Sequence, residues 1–119
     1  MAKHNLLGKE GEQLAKDFLL QKGWLLLEVN WRYEHKEVDL IFRDGNELVI
    51  VEVKTRSTDY FGNPEEAVHE AKEEHLIQAA EAYLEEHNLD LEVRYDVLAI
   101  ILKNGTHEIT HIVDAFYPR

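Results

Sequence analysis

Asp39 and Glu52 are two acids set inside runs of strand-forming apolar residues, thirteen positions apart. Asp39 stands among Val38, Leu40 and Ile41. Glu52 stands among Val49, Ile50, Val51 and Val53, with Lys54 two residues beyond it. The tripeptide Asp44-Gly45-Asn46 supplies a turn between the runs, so they read as a β-hairpin. Side chains along a strand alternate in direction. Asp39 is therefore expected on one face with Glu37 and Ile41, and Val38, Leu40 and Phe42 on the other. Glu52 and Lys54 are expected on a face with Leu48 and Ile50. The hairpin thus brings together two acids and an amine. Charge in the middle of a buried strand is costly unless it is paired or bound to a metal.

Hydrolysis of a phosphodiester needs a nucleophilic water, relief of negative charge and a stabilised leaving oxygen. One or two Mg²⁺ ions supply much of this. Mg²⁺ takes hard oxygen ligands and keeps several waters, so two or three carboxylates suffice. Asp39 and Glu52 are the expected central ligands of Mg²⁺ (or Mn²⁺), with the Val53 carbonyl as a third and Glu12 as an additional acid. Lys54 is expected to orient water and stabilise charge, because neighbouring carboxylates favour its charged form. The competing reading of Asp39, Glu52 and Lys54 is a buried salt bridge within a sheet. Such a bridge adds little dependable stability and leaves Glu12 unexplained. Glu12 itself is balanced between a ligand and an ordinary solvated helix acid, and Glu37 reads as a flank.

A chain of 119 residues makes one domain with a core of its own. At 45% hydrophobic and 31% charged residues the composition is that of a globular protein. The absence of cysteine excludes disulfides and thiolate metal sites. Residues 1–12 carry Lys3, Lys9, Glu10 and Glu12 and lack the apolar core of a secretory signal. The longest apolar run, residues 97–102, is far too short to span a bilayer. A cytoplasmic protein with no membrane association is the expectation.

The net charge of −11 argues at first against nucleic acid, but its distribution is uneven. Residues 65–92 hold ten acids against the single base Lys72, whereas residues 1–64 hold eleven acids and nine bases. The acidity is mostly one segment, which reads as a solvated helix face. The remainder can still present a neutral or basic surface. Binding to nucleic acid is expected to be weak and strongly salt-dependent.

The elements that must position these residues follow from periodicity and punctuation. Residues 5–22 read as a helix with Leu7, Leu14, Ala15, Phe18 and Leu19 on its apolar stripe, Asn5 as N-cap and Gly23 as stop. Gly8 and Gly11 lower its propensity and point to close approach of a neighbour. Strands are expected over 24–32, 37–43 and 47–55, as an antiparallel meander. Asn63-Pro64-Glu65-Glu66 starts a second helix that runs to about residue 87, with a break near 71–74. Two further strands are expected over 92–102 and 107–114, joined by the turn Lys103-Asn104-Gly105-Thr106. The order is α-β-β-β-α-β-β. The helix between the third and fourth strands implies a parallel crossover. The fold class is α/β, a mixed sheet flanked by helices.

This layout resembles the restriction-endonuclease-like superfamily, in which a helix precedes a meander carrying an Asp and then Glu-x-Lys, here Asp39 and Glu52-Val53-Lys54. More specifically, Gly8, Gly11-Glu12, Ala15, Asn30, Glu37-Val38-Asp39-Leu40-Ile41, Val51-Glu52-Val53-Lys54-Thr55-Arg56, Lys72, Ala79 and Arg94-Tyr95-Asp96-Val97 resemble the bacterial YraN-type family. That family is largely uncharacterised and is similar in turn to archaeal Holliday-junction resolvases. The resemblance implies a Mg²⁺-dependent endonuclease acting on DNA, with branched or damaged DNA as substrate class. Resolvases cut two symmetric strands, so it also implies a homodimer, for which residues 97–102 and 109–113 offer apolar edges.

Other residues carry weaker signals. Arg56 is suited to a phosphate but stands on an expected loop, where it is as readily idle. Lys72 is either a phosphate contact, which the family match favours, or a partner in local ion pairs. His75 occupies a position where the family often has a base, which counts against nucleic acid. No two of the seven histidines have zinc spacing, and His107 and His111 read as surface. Trp24, Trp31 and Tyr83 read as core, whereas Tyr60 and Phe61 are loop candidates for base stacking. Asp96 has no catalytic role assigned. The rival to a nuclease is a non-catalytic module that binds nucleic acid, or a basic protein through the acidic helix. A third reading is a metal enzyme acting on a small phosphorylated substrate.

Overall fold

The computed structural model describes residues 2–57 and 70–118. Its elements are α1 (Ala2–Leu20), β1 (Leu25–Tyr33), β2 (Lys36–Asp44), β3 (Glu47–Ser57), α2 (Glu70–Glu86), β4 (Glu92–Lys103) and β5 (Thr106–Ile112). Order and type match the expectation. Asn5 is not a cap, because α1 already runs from Ala2. The expected break near 71–74 is absent, and α2 is continuous from Glu70. The helix start at Asn63-Pro64 and the aromatic pair Tyr60 and Phe61 lie outside the described residues. No helix among the described residues is long and apolar enough to cross a membrane.

The five strands form one sheet in the order β1-β2-β3-β4-β5. Neighbours are antiparallel except β3 and β4, which run parallel from Glu47↔Glu92 to Ser57↔Leu102. Gly45, at φ 61, turns β2 back into β3 as the Asp-Gly-Asn signal requires. α2 ends at Asn88, whose φ of 55 lets the Leu89 amide donate to the Leu84 carbonyl at 2.9 Å. That is a Schellman-type stop with asparagine in the usual glycine position.

Alternation along β3 sorts the core into two layers. Leu48 and Ile50 pack with Leu76, Ala79, Ala80 and Tyr83 of α2. Val49 and Val51 face the other way and pack with Ala15 and Leu19 of α1. Each face of the sheet is thus covered by one helix, which explains the near-continuous apolar runs of β3 and β4. Trp24, Trp31 and Tyr83 all join the core layers.

Two expectations about strands need correction. Val38 does not share a face with Leu40 and Phe42. It packs with Ile41 in the α2 layer, while Leu40 and Phe42 lie in the α1 layer. The alternation of β2 therefore breaks at Asp39. Residues 97–102 are not a free edge either, because β4 is paired on both sides, with β3 and with β5. The sheet edges are β1 and β5.

Candidate active site

The break at Asp39 makes the site. β2 and β3 are paired from Asp44↔Glu47 as far as Leu40↔Val51, while β3 continues beside β4 to Ser57. Past Val51, β3 therefore has a strand on one side only. Asp39 turns into the gap, and its Oδ2 accepts the Val53 amide at 2.8 Å. A carboxylate thus satisfies a backbone donor that no strand reaches.

Glu52 precedes Val53 and is 3% exposed. Burial, and then the neighbouring Asp39 carboxylate, push its pKa up to about 7. Asp39 is also raised by burial, although the Val53 amide and the lysines oppose the rise. Burial thus works against the charge of both acids, and on Glu52 the Asp39 carboxylate adds to it.

Two amines face the pair. Lys54 Nζ lies 3.8 Å from Glu52 Oε1, and Lys72 Nζ, from α2, lies 3.6 Å from the same oxygen. Charge-assisted hydrogen bonds are shorter, at about 2.7–2.9 Å. The lysines therefore balance the charge without saturating the acid. Glu52 Oε2 is buried and has no hydrogen-bond partner among the described residues. A hard oxygen left open beside a second carboxylate fits a divalent cation.

Glu12 approaches from α1. Its Oε1 accepts the Asn30 side-chain amide at 3.0 Å. Its pKa is raised, first by burial and then by Asp39 and Glu37, against the lowering effect of the Asn30 bond. No group of three or more Asp, Glu or His among the described residues closes far enough to hold a metal by itself. Asp39 and Glu52 form the centre, and Glu12 stands outside it.

α1 reaches this region because Gly11 lets it. A Cβ on Gly11 would overlap Thr55 Oγ1 and come within 2.8 Å of Thr55 Cβ and Cγ2. The close approach expected of Gly11 is present, and Glu12, the next residue, meets Asn30 of β1. Among the described residues nothing lies within 4 Å of the Cβ position of Gly8, so no close approach is seen there.

Of the other predicted residues, Arg56 donates from Nη1 to the Thr55 carbonyl at 3.0 Å. His75 is buried against Tyr33, with ring centroids 5.9 Å apart. Burial, Lys36 and Lys72 hold its pKa down, so His75 packs as a neutral ring. Sequence reasoning gave no part to the Val53 amide or to Asn30. Asn30 stood only among the residues that carry the family resemblance, with no role attached to it.

Asp96 belongs to a separate, structural network. Arg94 grips it with two bonds, Nε to Oδ1 and Nη2 to Oδ2, each 3.0 Å. His111 Nε2 lies 2.8 Å from Oδ2, and the Asp114 amide donates to Oδ1 at 3.0 Å. Burial raises the Asp96 pKa, but these donors outweigh it and hold the acid below its ordinary range. His111 is not a surface residue, since it packs edge-on against Phe18 and Trp24.

Comparison with known proteins gives the family. A protein of Christiangramia forsetii is 49% identical over 98% of this chain and 98% of its own length. One from Bacteroides thetaiotaomicron is 48% identical over 99% and 98%, and one from Flavobacterium psychrophilum 46% identical over 98% of each. All three are named as UPF0102 proteins. The model of the family described as "Uncharacterised protein family UPF0102" matches residues 11–100, from Gly11 through the strand that holds Asp96. The resemblance to the YraN-type family is borne out, and the chain belongs to the uncharacterised protein family UPF0102.

Proposed function

We propose that this protein is a metal-dependent, nuclease-like hydrolase of DNA phosphodiesters. The observation that carries the reading is the half-buried Asp39 beside the buried Glu52, with one Glu52 oxygen unpartnered among the described residues and two lysines held just beyond hydrogen-bond range. A stabilising salt bridge would close those contacts, whereas this arrangement leaves donors and charge available. The acids, the Val53 carbonyl and Glu12 as an outer acid are the oxygen set for Mg²⁺ or Mn²⁺. When bound, such an ion would neutralise the scissile phosphate and favour ionisation of the attacking water.

The chain's own residues do the rest. Asp39 is fixed by the Val53 amide, so its carboxylate does not reorganise during the reaction. On holding a cation, Glu52 would release to solvent any proton that its raised pKa lets it keep. Lys54 and Lys72 are drawn to phosphate oxygens as Glu52 is engaged elsewhere, and Lys54 orients water. Arg56 adds a cation on the same strand. Branched or damaged DNA in the cytoplasm is the substrate the family resemblance implies, and a two-fold dimer fits two symmetric cuts.

The exposed acids Glu74, Glu81, Glu85 and Glu86 of α2 favour a second reading, a binding module that docks a basic protein. Calorimetric titration of Mn²⁺ into wild type and Glu52→Gln, followed by nicked, branched, duplex and single-stranded DNA with Mg²⁺, separates the two. Mn²⁺ binding and cleavage, both lost in Glu52→Gln, are expected. DNA or protein binding without metal, unchanged in Glu52→Gln, would replace the nuclease with the module.

A further inference from the structure

We infer that Asn30 is a positioning residue that holds the Glu12 carboxylate toward the Asp39–Glu52 pair. The inference rests on the metal-site reading above. Asn30 lies on β1 between Val29 and Trp31, which pair with Leu40 and Val38, so it stands opposite Asp39. Its φ is 50, left-handed in the middle of a strand. A non-glycine residue in that region is strained and persists where its surroundings impose it, often at functional sites. Asparagine is among the few residues that tolerate it.

Burial does not impose this conformation, because Asn30 is exposed. What the conformation achieves is the 3.0 Å bond from Asn30 Nδ2 to Glu12 Oε1, between residues on two different elements. A single exposed hydrogen bond returns little net stability, and the left-handed backbone sets a cost against it. Stability alone is therefore a poor reason for Asn30 to sit as it does.

Glu12, by contrast, needs a restraint. Asp39 and Glu37 both repel its charge. Glu12 lines a cleft of about 290 Å³ with Lys9, Gln13, Lys16, Val29 and Leu40, which leaves its side chain room to swing. The amide of Asn30 opposes that swing without adding charge. A lysine in its place would neutralise Glu12, and an aspartate would repel it. One oxygen of Glu12 is engaged by Asn30, and the other remains for a cation or its water.

The test is a double-mutant cycle read by Mn²⁺ calorimetry and thermal melting. Asn30→Gly keeps the left-handed backbone and removes only the amide. Asn30→Gly is expected to weaken Mn²⁺ binding on the order of tenfold with little change in Tm, and Glu12→Gln to do likewise. The double variant is expected to bind no more weakly than Glu12→Gln alone. Wild-type affinity in Asn30→Gly, wild-type affinity in Glu12→Gln, or additive losses in the double variant would each overturn the inference while leaving the Asp39–Glu52 site standing. Absence of Mn²⁺ binding in wild type would instead remove the metal-site reading, and this inference with it.

Discussion

Asp39 Oδ2 accepts the Val53 amide at 2.8 Å, so a side chain serves as the last rung of the β2–β3 ladder. One residue thereby has two duties, which substitution separates. Asn keeps an acceptor for Val53 and removes the charge beside Glu52. Asp39→Asn should therefore melt at or above the wild-type Tm and lose Mn²⁺ binding. Asp39→Ala leaves a buried amide unpartnered and should cost about 1–3 kcal/mol as well. Equal stability of the two variants, measured by urea unfolding, would mean that the rung is dispensable.

The raised pKa of Glu52 gives stability a pH dependence of unusual sign for an acid. Glu52 is raised from its ordinary 4.5 to about 7 by burial and by Asp39. Below 4.5 it is protonated in both folded and unfolded chains, and the full contribution is present. As pH rises to about 7 the unfolded glutamate ionises first, so stability falls across this window and then levels. Asp39, also raised by burial, acts in the same direction. Unfolding free energies at a series of pH values should fall with pH relative to those of Glu52→Gln, because the lowered His75 pKa acts the opposite way up to pH 6.5 in both proteins. Mn²⁺ affinity should move the opposite way, strengthening by up to about tenfold per pH unit below pH 7, because the metal displaces the proton.

The hairpin, the element order and the pairing of Asp39 with Glu52 and Lys54 were legible because strand periodicity and turn residues are local signals. The break in alternation at Asp39 was not. Period-two reasoning treats every strand as ideal, and Val38 changes layer only because the Asp39 side chain replaces a backbone rung. Lys72 reaching Glu52 and Asn30 reaching Glu12 are contacts across 20 and 18 positions, set by tertiary packing. His111 read as surface because its partner, Asp96, is brought beside it only by the β4–β5 pairing.

The two glycines of α1 should respond oppositely to alanine. Gly8→Ala meets nothing within 4 Å and should stabilise the protein by up to about 1 kcal/mol through helix propensity. Gly11→Ala gains the same propensity but drives a methyl into Thr55. Overpacking of that kind costs about 1–3 kcal/mol, so the net should be destabilising, and α1 should lift Glu12 from the site. Adding Thr55→Ala removes the hydroxyl and methyl and should recover part of both the Tm and the Mn²⁺ affinity. A stabilised Gly11→Ala protein would show that α1 shifts at no cost.

Asp96 should matter to folding and not to metal. It is 1% exposed and receives two bonds from Arg94, one from the Asp114 amide and a contact from His111. Arg94 keeps Asp44 and Glu47 at 3.2 and 2.9 Å if Asp96 is lost, but those acids sit nearer solvent. Removing one partner of a buried ion pair costs about 3–5 kcal/mol, because the charge left behind is desolvated. Asp96→Ala is expected to lose about that much in urea unfolding, while Mn²⁺ binding by the folded fraction stays as in wild type. Mn²⁺ affinity falling along with stability would tie the Arg94–Asp96 network to the Asp39–Glu52 site, through the parallel β3–β4 pairing that sets Val51 beside Asp96 and Glu52 beside Val97.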